Sequence, residues 1–178
     1  MQRLFHVSEE DSIAVFAPRL PPSTDSGVQG EVVWAVDDGH LPNYLLPRDC
    51  PRVTFSASEQ TTSEDRSAHL GGGRRVVAIE AAWLQTVRRC RLYVYELPSS
   101  DFRLVDRSAG YWIARVPLVP IAVTEVVDCL AEIEKRGAEL RICHALWPLH
   151  DVVLRSTLDF SIIRMRNALR RADDGSSS

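Results

Sequence analysis

Short apolar runs set between polar, Pro-rich and Gly-rich segments make up most of this chain, and their spacing predicts alternating strands and helices. Residues 3–7 read as a strand that closes at Ser8, with Glu9, Glu10 and Asp11 placed for a brief helical turn behind it. Residues 32–36, Val-Val-Trp-Ala-Val, are apolar throughout, as a central strand covered on both faces requires. A short helix over 40–46, limited by Pro47, and a strand over 52–55 follow. Val76, Ile79, Trp83 and Val87 recur at helical spacing, with Glu80 early and Arg88 and Arg89 late, which predicts a helix. Residues 90–97, 102–106 and 111–116 read as three strands of one contiguous, mostly antiparallel sheet, with a turn around Ser108, Ala109 and Gly110. Val123, Val126, Val127, Leu130 and Ile133 form an amphipathic helical stripe that Gly137 would stop. A strand over 140–143 and helices over 147–154 and 156–171 complete the series, the last capped by Ser156 with Asp159 three residues on.

The fold class expected is therefore α+β, with a mixed, mostly antiparallel split sheet flanked by helices. At 178 residues and 45% hydrophobic the chain suits one globular domain, spanning 1–172. Three prolines within residues 18–27 predict an extended surface loop able to wall a cleft. Residues 56–73 turn to Ser, Thr, Glu, Asp and three consecutive Gly, with little apolar surface to offset the entropy of ordering them, so a mobile loop is expected near 56–75. The end of that loop, Gly71 to Arg75, lacks the Gly-Lys-Ser/Thr of a phosphate-binding loop. Residues 173–178 read as a frayed tail.

Charge and cysteine usage narrow the chemistry. A net charge of −3 excludes a chain that wraps nucleic acid as a whole and leaves only a local basic patch such as Arg164, Arg166, Arg170 and Arg171, which reads more simply as a solvated face. The four Cys, at 50, 90, 129 and 143, show no CxxC spacing, so they read as reduced thiols rather than zinc ligands. No metal site is expected, since His144 and His150 are six apart rather than at i, i+4. The chain shows no signal-peptide core and no run long enough to span a bilayer, and a cytoplasmic protein is the simplest expectation.

Chemistry-bearing side chains gather at the ends of the first strands. His6 and Ser8 close the first one, and Tyr44, Arg48 and Arg52 follow the second. A His at a strand end can place one ring nitrogen on a ligand while backbone fixes the other; the alternative is a buried imidazole satisfied locally. Ser8 lacks a nucleophile-elbow pattern and is expected to hydrogen-bond only. Arg19, Arg48 and Arg52 suit phosphate or carboxylate oxygens if they meet at one cleft, or else pair with Asp37, Asp38 or Asp49. Tyr44 and Trp34 offer rings for stacking, or simple core. Cys50, close to two Arg, sits where a thiol pKa could fall.

Leu4 to Ser8, Trp34 to Asp37 with Tyr44 and the Pro47-Arg48-Asp49-Cys50-Pro51-Arg52 run, and 156–167 resemble an uncharacterised bacterial protein family of about this length. More remotely, a His followed two residues later by Ser on the first strand, then a strand leading to a Tyr-bearing helix, is similar to the ADP-ribosyltransferase superfamily. That resemblance implies an NAD or ADP-ribose pocket lined by His6, Ser8, Arg19, Tyr44, Arg48 and Arg52. His6 would hold the nicotinamide ribose, Tyr44 would stack near nicotinamide, and the reaction would be glycosidic C–N cleavage. It also implies a late Glu, whereas Tyr111 to Ala114 carries no acid; Glu80, Glu96 and Glu125 are the substitutes. The alternatives are a non-catalytic module that senses a nucleotide or other anion, and an interaction protein without a small ligand.

Overall fold

Side chains of the first strand alternate between Leu4, His6 and Ser8 on one face and Phe5 and Val7 on the other, as a pleated strand demands. In the computed structural model, which describes residues 2–21 and 27–171, this is β1 (Leu4–Ser8). It pairs antiparallel with β2 (Val33–Asp37), Leu4 opposite Asp37 and Phe5 opposite Val36. The chain divides into two compact units, one of residues 1–45 and 91–127, the other of residues 46–90 and 128–178.

The first unit holds a six-stranded, wholly antiparallel sheet. Later in the chain come β5 (Leu92–Leu97), β6 (Arg103–Asp106), β7 (Tyr111–Ala114) and β8 (Ala122–Val126), and the spatial order is β6-β7-β2-β1-β5-β8. The strands expected over 90–97, 102–106 and 111–116 thus share a sheet, but β1 and β2 lie between β5 and β7. Leu4, Val33, Ala35, Tyr95, Leu97 and Ala114 form the core on one face, closed by Phe16, Phe102 and Leu118. Residues 9–15 form no helix. Tyr95 Oη donates to the Glu10 carbonyl at 2.7 Å, and Ile13 N–H donates back to Tyr95 Oη at 3.2 Å, so the segment is held extended and delivers Phe16 to its bridge with Leu118. Of the Pro-rich stretch, Arg19 bridges Val32, while residues 22–26 lie outside the described residues.

The second unit is built on a four-stranded mixed sheet ordered β10-β3-β4-β9: β3 (Arg52–Ser56), β4 (Arg75–Glu80), β9 (Ala138–Cys143) and β10 (Asp159–Ile163). Pairing is antiparallel except between β4 and β9. Val53, Phe55, Val76 and Ala78 on one face pack with Leu70 of α1 (Ser63–Leu70) and Val153 of α4 (Trp147–Val153). The other helices are α2 (Leu84–Arg89) and α3 (Cys129–Lys135).

Four expectations fail here for physical reasons. The helix expected from Val76 to Val87 is β4, a 3-10 turn and α2. Val76, Val77, Ala78 and Ile79 are all fully buried between two neighbouring strands, and an apolar strand shares i, i+3 positions with a helical stripe. The stripe from Val123 to Ile133 belongs to two elements: Val123 and Val127 are 51% and 58% exposed, and α3 starts only where the Asp128 carboxylate caps Ala131 N–H at 3.0 Å. Gly137, at φ +74°, does follow that helix. The helix expected over 156–171 is β10 and a 3-10 turn, with Ser156 Oγ bonded back to the Val153 carbonyl at the end of α4. Within the expected loop at 56–73, α1 forms because Thr62 caps it, and Asp65 takes the Thr157 N–H and hydroxyl at 2.7 and 2.6 Å. Polar contacts order a segment that has little apolar surface. The expected tail at 173–178 lies outside the described residues.

Candidate functional site

At the carboxyl end of β2, Asp37 is followed by a turn and then by a 3-10 helix over Leu41–Tyr44, with Pro in its first turn, where a missing N–H costs nothing. Asp37 Oδ1 accepts two hydrogen bonds from His40, from the backbone N–H at 3.0 Å and from ring Nδ1 at 2.7 Å. Both side chains are largely shielded, at 16% and 18% exposure. Burial pushes the Asp37 carboxyl up, but the His40 ring, the His40 backbone N–H and the Trp112 side chain together hold it below the usual carboxylate range.

Gly110, between β6 and β7, faces this pair. Its carbonyl accepts the Asp37 N–H at 3.2 Å, and its φ is +68°. A Cβ built there would lie 2.4 Å from His40 Cγ and Nδ1 and 2.6 Å from His40 Cβ, so the ring rests directly on glycine backbone. With Nδ1–H given to Asp37, the proton is placed on Nδ1 and the lone pair on Nε2, for which no partner exists among the described residues.

The same turn anchors Tyr44, whose hydroxyl donates to the Ala109 carbonyl at 2.9 Å. The Tyr44 and Tyr111 ring centroids are 5.5 Å apart, and those of Tyr111 and Trp34 are 5.3 Å apart, a run of three aromatic rings. The buried Trp34 Nε1–H makes no hydrogen bond among the described residues.

The remaining residues singled out in the sequence are dispersed. His6 lies on the core face of β1, its ring 4.9 Å from that of Phe16, and Nδ1 donates to the Trp34 carbonyl at 2.9 Å. Strand alternation puts Trp34, Val36 and Tyr111 on the opposite face of the sheet from His6. Ser8 Oγ accepts the Glu10 N–H at 3.1 Å. Arg19 has an exposed side chain and bridges Val32 through its backbone. Arg48 and Arg52 belong to the second unit. Arg48 is exposed, whereas Arg52 is buried and donates from one guanidinium nitrogen to the Pro47 and Cys50 carbonyls at 3.0 and 3.1 Å. Cys50 is no activated thiol: burial pushes it up to about 12, despite the opposing charge of Arg52.

Each substitute for the late Glu is engaged elsewhere. Glu80 is buried in the second unit and accepts the Leu146 and Leu169 N–H groups; Glu96 takes Arg3 at 2.9 and 2.7 Å; Glu125 takes Arg91 at 2.8 Å. Among the described residues no cluster of three or more His, Cys, Asp or Glu is arranged to hold a metal. No helix there is long and apolar enough to cross a membrane.

A protein-family pattern covers residues 5–168, nearly the whole chain. The chain belongs to the family of unknown function DUF6886. No curated protein and no solved structure matches it.

The first unit places a shielded carboxylate–imidazole pair at the carboxyl end of β2, and Tyr44, four residues after His40, begins a run of three aromatic rings. Asp37 and His40 were legible only as a polar Asp-Asp-Gly-His turn after an apolar strand. That signal is weak because such turns are common for conformational reasons alone.

Proposed function

We propose that the first unit of this chain binds a nucleotide of the NAD or ADP-ribose class on an ADP-ribosyltransferase-like sheet. The observation that carries the reading is the path of the chain: the His-bearing β1 lies beside β2, and β2 runs directly into the turn that presents Tyr44 to the Ala109–Tyr111 segment. Tyr44, Tyr111 and Trp34 supply faces for a planar base or nicotinamide ring. The unpaired Trp34 N–H supplies a donor suited to a ligand oxygen, since a buried donor left without a partner costs about 1–3 kcal/mol. Arg19, bridged to the residue before β2, is an exposed cation of the same unit suited to phosphate. His6 contributes through Trp34, whose carbonyl it holds.

Thermal unfolding against NAD, ADP-ribose, nucleoside phosphates and simple anions tests the reading. Stabilisation by the dinucleotides, about 2.7 kcal/mol at one hundred times Kd and reduced in Tyr44→Ala, is the expected result. Equal shifts with phosphate alone, or none with any ligand, would refute it.

A further inference from the structure

The outermost strand of the first unit's sheet is β8 (Ala122–Val126), paired on one side with β5 and on the other with no strand among the described residues. An edge strand directs a row of backbone N–H and C=O groups away from its one neighbour, and natural edges are usually blunted by Lys, by shortness or by a covering element. Residues 116–127 carry no Lys or Arg and, apart from Thr124 and Glu125, no polar side chain. Of the ten large apolar side chains exposed among the described residues, five lie in this stretch: Val116, Val119, Ile121, Val123 and Val127, with Val119 and Ile121 each 65% exposed. A sixth, Val15, flanks the Phe16–Leu118 bridge as Val119 does. Ala122 and Thr124, on the other face of the strand, are exposed as well, so β8 stands open on both faces. Single apolar side chains on a surface are ordinary, but a run of them along a strand edge marks an interaction site.

The sequence of that edge selects a second copy of the chain as its partner. Pro120 has no N–H to give and ends any ladder at Ile121, while Asp128 leaves the strand to cap α3, so the window for pairing is 121–127, centred on Thr124. Two copies that pair antiparallel over the whole window are related by a twofold axis at Thr124, a closed, isologous contact. In that register Ile121 lies opposite the partner's Val127, Ala122 opposite the partner's Val126, and Thr124 opposite the partner's Thr124, where the hydroxyls can bond. Glu125, the one charge in the window, lies opposite the partner's Val123 and is already neutralised by Arg91 of its own chain at 2.8 Å. Moving the axis to Glu125 sets two carboxylates against each other, and moving it to Val123 sets Ile121 against Glu125 and draws Pro120 into the ladder. We infer that this protein forms a homodimer by antiparallel pairing of β8 with β8 about a twofold axis at Thr124, which joins the two six-stranded sheets edge to edge and covers Ile121, Val123 and Val127. This contact is independent of the nucleotide reading.

Sedimentation velocity of the full chain from about 1 to 100 μM tests it, beside Thr124→Lys and Val123→Lys, each first checked for wild-type circular dichroism. Thr124→Lys sets two ammonium groups opposite each other on the axis, and Val123→Lys puts a charge on the apolar face of the edge. The expected result is a wild-type monomer–dimer equilibrium within that range, with dissociation at least tenfold easier in both variants. The register has its own readout: Thr124→Cys treated with a short bismaleimide should give at least tenfold more covalent dimer than wild type, whose partly exposed Cys90 and Cys143 set the background. A wild type that stays monomeric at about 100 μM, even one that binds phospholipid vesicles or another protein through this edge, would overturn the inference. So would a dimer equally stable in both Lys variants, or a Thr124→Cys chain that cross-links no better than wild type.

Discussion

Replacing Gly110 by Ala strikes the Asp37–His40 pair without touching either residue. Gly110 sits at φ +68°, where an L side chain costs about 1–2 kcal/mol. The new Cβ would also lie 2.4 Å from His40 Cγ and Nδ1. Rotation of the ring cannot relieve this, because His40 Cβ is itself only 2.6 Å away, so the backbone must shift and the 2.7 Å bond to Asp37 is lost. A hydrogen bond to a charged group contributes about 1.5–3 kcal/mol, so Gly110→Ala should cost about 2.5–5 kcal/mol in all. Urea unfolding measures it, provided the dependence on denaturant is unchanged. In a His40→Gly background the clash disappears and only the backbone strain of about 1–2 kcal/mol should remain, giving a coupling of about 2 kcal/mol. A loss below about 1 kcal/mol, or the same loss in both backgrounds, would refute this packing.

Two further outcomes follow from buried polar contacts. Glu80→Ala leaves the Leu146 and Leu169 N–H groups without their acceptor and should cost about 2–6 kcal/mol, with Glu80→Gln costing less because one acceptor oxygen survives; a loss under about 1 kcal/mol in calorimetric unfolding would contradict it. Because the folded-state pKa of Asp37 is depressed, its contribution is complete above the unfolded value of about 3.9 and is lost as pH falls through the folded value. Asp37→Asn should therefore be less stable than wild type at pH 7 and show a shallower acid limb; parallel curves from neutral to acid pH would contradict the pairing.

Where burial and backbone period agree, the fold is legible in the residues. Leu4 to Ser8, Val33 to Asp37 and Arg52 to Ser56 are strands as expected, because their patterns fit no helix. Val76 to Ile79 misled because an apolar run covered on both faces also places side chains at i, i+3, and the half-buried edge strand of Phe160 to Ile163 shares helical spacing with Leu158 and Met165. Asp65 ordered a segment that composition alone makes a loop, through a partner, Thr157, far along the chain. Arg52 and Cys50 look chemical in sequence, yet Arg52 ties down two carbonyls and burial silences the thiol. The Asp37–His40 pair depends on Gly110, which reaches it only through the pairing of β7 with β2. No local pattern carries that information.

Whether the first unit binds a dinucleotide is measured by calorimetric titration of the purified protein with NAD and with ADP-ribose, repeated on Tyr44→Ala. Saturable binding at one site with Kd below about 1 mM, equivalent to about −4 kcal/mol or better, and weakened at least tenfold in the variant, is the expected result. No saturable binding by wild type, or equal binding by the variant, would contradict it.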